Sequence, residues 1–288
     1  MLPRIQDLGF KVRFQACLVR GNWREQGDDR YFPRDERALY PQKYGLDQGS
    51  TRRVGCPLTN IHVCLFASQG FKRQQDLQRR AFLDVGVPET QTHCGGPEDL
   101  GDDFFHDLPY AAESNRFGHF SFKPYVLLKA LERLQDGEVL LYLDANDCPL
   151  PGICDYVLRL LADKPAWNVI AASTNYTNAR HTSWYHRQRS PGLLAWLSSF
   201  HYQPEAGALV IRSGMESQGL MRVWYALTAL HSHALQGCED RRARHDQETL
   251  FQLAQLNNSV LFESWWRHRL FGHGLRKYVD WEFFRNAD

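Results

Sequence analysis

The chain has 288 residues with 34 Lys and Arg against 33 Asp and Glu, a net charge of +1. That balance gives no global attraction to nucleic acid or to an anionic membrane. Its 7 cysteines are odd in number and never spaced as CxxC, which argues against a zinc knuckle or disulfide framework and fits a reducing cytoplasm.

Residues 1–58 carry weak apolar periodicity and much Gly, Pro and charge, and are read as an irregular N-terminal extension with no chemistry of its own. The opening MLPRIQDLGF lacks the apolar core of a signal peptide, and no apolar run approaches the length of a bilayer span. Residues 59–288 are expected to form one α/β domain. IHVCLFA, starting at Ile61, reads as a strand closed by the turn Ser68, Gln69, Gly70. Gln74 to Val85 has a helical pattern with Leu77, Ala81 and Phe82 inward, and a weak strand is expected near Thr90 to His93. The polar loop that follows, GGPEDLGDDFFHDLPYAAESNRFG, is long enough to cover a site.

Pro124 to Gln135 is predicted helical, with Leu127, Leu128, Leu131 and Leu134 on one face and Pro124 in the first turn. Lys123 therefore opens that helix, where the dipole favours an anion; it either neighbours a bound phosphate or points into water. Val139 to Leu143 is an unbroken apolar run, as in a parallel strand covered on both faces. It stops at Asp144, Ala145, Asn146 and Asp147, and Pro149 and Pro151 forbid its continuation. Two carboxylates and an amide are thus placed at the carboxyl end of a central strand, where open α/β sheets bind ligands. Such hard oxygens suit Mg²⁺ or Mn²⁺ shared with substrate phosphates; alternatively they only cap the next helix.

Further along, Ile153 to Ala162 reads as a helix, NVIAAS (168–173) as a strand, and NYTNARHTSWYHRQRS as an aromatic-rich loop before a short helix near Leu193 to Phe200. A strand begins at Ala206, a long helix covers Ser217 to about Leu235, another helix starts near His245, and SVLFE is a strand before a Trp-rich tail. Alternating strands and helices predict an α/β domain, a mostly parallel central sheet flanked by helices. P-loop and Rossmann glycine motifs are absent.

Four segments in this order resemble a family: FSFKPYVLLKAL (120–131), LLYLDAND (140–147), EAGALVIR (205–212) and HDQETLF (245–251). Together with IHVCLFAS they are similar to GT-A fold glycosyltransferases of the glycogenin and lipopolysaccharide galactosyltransferase family and to related bacterial capsule-type transferases. The resemblance runs from about Asn60 to Leu256. It implies that Phe66, Ala67 and Ser68 line a nucleoside pocket, that Lys123 lies near the donor phosphates, and that Asp144 and the acid after it bind ribose and a divalent cation, Mn²⁺ or Mg²⁺. Glu205, Ala206, Gly207, Asp246 and Gln247 would lie close to the transferred sugar. The third position of the family's motif is normally Asp; here Asn146 stands there, followed by Asp147. Either Asp147 takes over, or Asn146 ligates through its neutral oxygen, or the metal is dispensable.

HGLRK (273–277) resembles the stretch with which that family closes over the diphosphate, implying His273 as a metal ligand and Lys277 as a phosphate partner. The usual Pro-Trp is replaced by Tyr278 and Val279. Trp265, Trp266, Arg267 and Arg269 equally suit a tail lying peripherally on the inner membrane face. The resemblance implies a retaining enzyme, because Gln247 is an amide and no strong base. Its donor would be a nucleoside diphosphate-sugar, expected to be a UDP-sugar. Its acceptor would be a glycan or lipid-linked sugar in surface polysaccharide synthesis, with no nucleic acid partner. Two other readings stay open: a metal-dependent phosphohydrolase with Asp144 as nucleophile, although DANDC departs from DxDx[TV], and a non-catalytic glycan- or membrane-binding module.

Overall fold

The structure is a computed structural model that describes residues 60–109, 111, 120–177, 202–234, 245–256, 260–262 and 275–280. The N-terminal extension, the aromatic loop beyond residue 177, the short helix near Leu193, His273 and the tail tryptophans lie outside the described residues.

Six strands form the main sheet: β1 (Ile61–Phe66), β2 (Thr92–Gly95), β3 (Val139–Leu143), β5 (Val169–Thr177), β6 (Tyr202–Arg212) and β7 (Val260–Phe262), in the order β2-β1-β3-β6-β5-β7. All run parallel except β6, which is antiparallel to both of its neighbours. The fold is therefore mixed α/β with a mostly parallel sheet flanked by helices. A separate two-stranded ribbon pairs β4 (Cys148–Pro149) with β8 (Val279–Asp280).

Six helices are described: α1 (Lys72–Asp84), α2 (Asp102–Asp107), α3 (Phe122–Leu131), α4 (Ile153–Asp163), α5 (Met215–Ala234) and α6 (His245–Leu256). Strand alternation sorts the core into two halves. Phe66, Leu140, Tyr142 and Leu209 meet α2, α3, α5 and α6 on one face. Val63, Leu65, Leu141, Leu143 and Val210 meet α1, α4 and Leu275 and Val279 of the tail on the other. Because β3 is covered on both faces, all five of its residues are buried, which explains its uninterrupted apolar text.

Two helical expectations change. The inward side of α1 is Gln74, Gln75, Gln78 and Phe82, while Leu77 and Ala81 are only half-buried. Two of the glutamines, Gln75 and Gln78, are buried with backbone carbonyls as partners: Gln75 Nε2 donates to the carbonyls of Leu65 (3.0 Å) and Gly95 (2.7 Å). The described part of the polar loop is not without secondary structure, since α2 lies within it. The Tyr125 hydroxyl donates to Asp103 Oδ1 at 2.5 Å and that of Tyr225 to Asp107 Oδ2 at 3.2 Å, pinning α2 to α3 and α5. Burial, then the neighbouring carboxylate, pushes both phenol pKa values well up, so both remain donors.

The path of the chain decides where a ligand can sit. From β1 it crosses through α1 to β2 on one side, then returns through α3 to β3 on the other side of β1. Connections leaving in opposite directions open a crevice at the carboxyl ends of β1 and β3.

Candidate functional site

At that crevice β3 ends and Asp144 turns outward. Its backbone N–H donates to the carbonyl of Gly207 at 2.8 Å, and the N–H of Asp147 donates back to the Asp144 carbonyl at 2.9 Å. Gln78 Nε2 holds the turn from below, 2.7 Å from the carbonyls of both Asp144 and Asp147. Backbone bonds and the Gln78 amide therefore fix the turn independently of its own carboxylates.

Lys123 enters from the first turn of α3. It is preceded by Phe120, whose φ of 71° puts a non-glycine residue in the left-handed region, and that local strain redirects the chain into the helix. The Lys123 ammonium is only 5% exposed and lies 3.0 Å from Asp144 Oδ1 and 2.7 Å from Asp246 Oδ2. It also packs over the Phe120 ring, 5.3 Å from the centroid. Burial alone would lower its pKa, but the Asp144 and Asp246 carboxylates reverse this and hold it above the ordinary lysine value. The structure thus places Lys123 between two carboxylates rather than in water. The Tyr142 hydroxyl donates to Asp144 Oδ1 at 2.9 Å, and burial together with that carboxylate raises the phenol pKa strongly.

β6 contributes from the other side. Its pairing with β5 slips between Ala171/Leu209 and Ala172/Glu205, so residues 206–208 bulge while β6 still pairs with β3 at Ala208. The bulge centres on Gly207. A methyl there would lie 2.8 Å from Asp144 Oδ2 and 3.3 Å from Glu205 Oε1, so glycine is what lets the two carboxylates approach this backbone. From α6, Gln247 Nε2 donates to Glu205 Oε1 at 2.6 Å. Asp246 and Gln247 are both 2% exposed.

Five predicted residues are therefore drawn together from four elements: Lys123, Asp144, Glu205, Asp246 and Gln247. Phe66 and Ala67 stand buried at the end of β1, where the Phe66 ring stacks on Phe122 at 4.6 Å, and Ser68 follows half-buried. Phe66 also lines a cleft together with His93, Gly95, Val126, Lys129 and Arg133. Lys277 falls in a 3-10 turn over Leu275–Tyr278, and the backbone beside it is tied to the acidic turn: the Leu150 N–H donates to the Tyr278 carbonyl at 2.8 Å.

Asp147 is more buried than Asp144. It is buried at 4%, and its charge, with those of Asp280 and Asp84, adds to burial in pushing the Cys148 thiol up to about 12. Among the described residues no three His, Cys, Asp or Glu side chains form a metal-holding group. A cation is still compatible with the donors present. The Asp144 side chain is 36% exposed, and the buried Oδ1 of Asn146 has no hydrogen-bond partner among the described residues. One carboxylate and one amide oxygen, completed by phosphate and water, fit Mg²⁺ or Mn²⁺.

Sequence reasoning missed Gln78, Tyr142 and Trp224. The Trp224 indole N–H reaches the Asp246 carbonyl at 3.1 Å and Thr249 Oγ1 at 3.0 Å. Tyr142 and Trp224 read as core aromatics; only the rule that a buried hydroxyl or indole N–H needs a partner could have flagged them.

No family model and no curated protein matches the chain. Among solved structures it is similar to mouse xyloside xylosyltransferase 1 in its apo form, with 13% identity and a TM-score of 0.42 over 76% of this chain and 93% of that one. It is likewise similar to the galactosyltransferase LgtC in complex with donor and acceptor sugar analogs, with 12% identity and a TM-score of 0.42 over 70% of this chain and 73% of that one.

Proposed function

We propose that the chain is a retaining glycosyltransferase that moves a sugar from a nucleoside diphosphate-sugar, a UDP-sugar by the resemblance of its motifs, to a glycan or lipid-linked acceptor in surface polysaccharide synthesis. One observation carries the reading: the Lys123 ammonium, the Asp144, Glu205 and Asp246 carboxylates and the Gln247 amide converge at the sheet's topological switch point.

The chemistry such a site must perform explains these residue types. Cleaving the bond from the anomeric carbon to the diphosphate leaves negative charge on the departing phosphate and makes the sugar oxocarbenium-like. A bound Mg²⁺ or Mn²⁺, held by Asp144 and Asn146, would neutralise phosphate charge. The Phe66–Ser68 corner takes the nucleoside. Asp246 and Glu205 place negative charge where the sugar becomes positive, and Gln247, fixed by its bond to Glu205, orients the sugar. His273 and Lys277 belong to the segment that closes over the diphosphate. The retaining reading is supported by the amide at position 247, which cannot deprotonate an incoming hydroxyl, with Glu205 as the rival base of an inverting enzyme.

The test is a reaction with UDP-sugars and Mn²⁺, followed by NMR of the product's anomeric proton, beside a thermal-shift comparison of UDP with and without Mn²⁺. The expected outcome is an α-linked product from an α-linked donor and a melting temperature raised most by UDP with Mn²⁺. A β-linked product would transfer the role of base to Glu205 or Asp246. Phosphate release from simple phosphomonoesters without sugar transfer would support the hydrolase reading instead.

A further inference from the structure

We propose that Trp224, on α5, is a positioning residue for this site: its indole N–H holds the first turn of α6 in the register that sets Asp246 against Lys123. The inference rests on the transferase reading above for its effect on turnover, but not for its geometry.

Trp224 is 0% exposed and shares a core cluster with Met221, Tyr225, Leu250 and Leu253. The hydrophobic attraction behind this packing is non-directional and does not by itself orient the polar groups of the turn above it. A hydrogen bond is directional, and an indole N–H can only donate. Here it is shared between the carbonyl of Asp246 and Thr249 Oγ1, and the Thr249 hydroxyl donates to the same carbonyl at 3.1 Å. The backbone oxygen that receives this attention belongs to the residue whose carboxylate lies 2.7 Å from the Lys123 ammonium. Its neighbour Gln247 makes the 2.6 Å bond to Glu205. Rotating this turn would therefore break both contacts at once, while the core beneath it could stay packed. Displacements of about 1 Å in such sites cost about a hundredfold in rate.

The test uses the full chain with Trp224→Phe, which keeps a buried aromatic ring but removes the N–H, and Thr249→Val, which leaves the indole in place. Two readouts are taken: acetic anhydride labelling of Lys123 by mass spectrometry, and steady-state turnover of a UDP-sugar beside calorimetric UDP affinity. In both variants Lys123 should label about tenfold faster, and turnover should fall about ten- to a hundredfold with UDP affinity within about twofold of the parent. Unchanged labelling in both variants overturns the proposal, as does a parallel loss of turnover and UDP affinity, which marks a residue that only supports the fold. A parent chain that turns over no nucleotide sugar, with labelling still accelerated in the variants, sinks the transferase reading and upholds the positioning role.

Discussion

Lys123 shows how one side chain links stability to chemistry. The Lys123 and Asp246 side chains are both buried, so neither charge can recover hydration if the other is removed. Truncating one partner of a buried pair costs about 3–5 kcal/mol, mostly because the survivor is left uncompensated. Lys123→Met should therefore lower the urea midpoint as well as nucleotide affinity, and adding Asp246→Asn should return much of the lost stability without restoring turnover. A variant of Lys123 alone with unchanged stability would contradict the buried pairing. Gly207 makes the opposite case, where an added atom does the damage. In Gly207→Ala the new methyl meets Asp144 Oδ2 at 2.8 Å, closer than a Cβ tolerates. The carboxylate must move, and turnover should fall about a hundredfold, with a stability loss of about 1–3 kcal/mol. Kinetics that match the parent would place Asp144 outside the chemistry.

At the scale of elements, legibility depended on whether a residue's role was written in its own neighbourhood. β3 and Asp144 were readable because a buried strand stopping at carboxylates is a local pattern. Lys123 was readable as the first-turn residue of α3, yet its partners were not, since Asp144 and Asp246 reach it only through tertiary folding. The bulge in β6 left no local signal beyond Gly207 itself, because it arises from a slip against β5. α1 was misread for a definite reason: Gln75 and Gln78 look solvent-facing by polarity, but they face inward to satisfy carbonyls at and beyond strand ends. Gln78→Leu tests this. Its volume is similar, but the Asp144 and Asp147 carbonyls lose their shared donor. The expected cost is about 1–3 kcal/mol in denaturant unfolding, together with weaker UDP binding as the acidic turn loosens. Wild-type values for both would show that the turn is held by its strand alone.

For the whole molecule, the distribution of buried thiols predicts how it responds to alkali. Burial pushes Cys64 and Cys148 up to about 12 and Cys154 up to about 11, from an ordinary value of 9.0. Between about pH 9 and 12 the unfolded chain loses these protons while the folded chain keeps them, so the folded state binds more protons and stability falls as pH rises. The contribution is intact below pH 9. Urea midpoints should drop steadily from pH 9 to pH 11, and Cys64→Ala should flatten that slope; a midpoint independent of pH in this window would contradict the burial. The ribbon between β4 and β8 has a consequence for folding. Val279 and Asp280 pair with residues directly after the acidic turn, and Leu275 and Val279 complete the core beneath it. Pairing these segments closes a long loop, whose entropy has to be met before so non-local a contact rewards it, so the ribbon is among the slow contacts of folding. The acidic turn is thus braced by a contact that forms against loop-closure entropy.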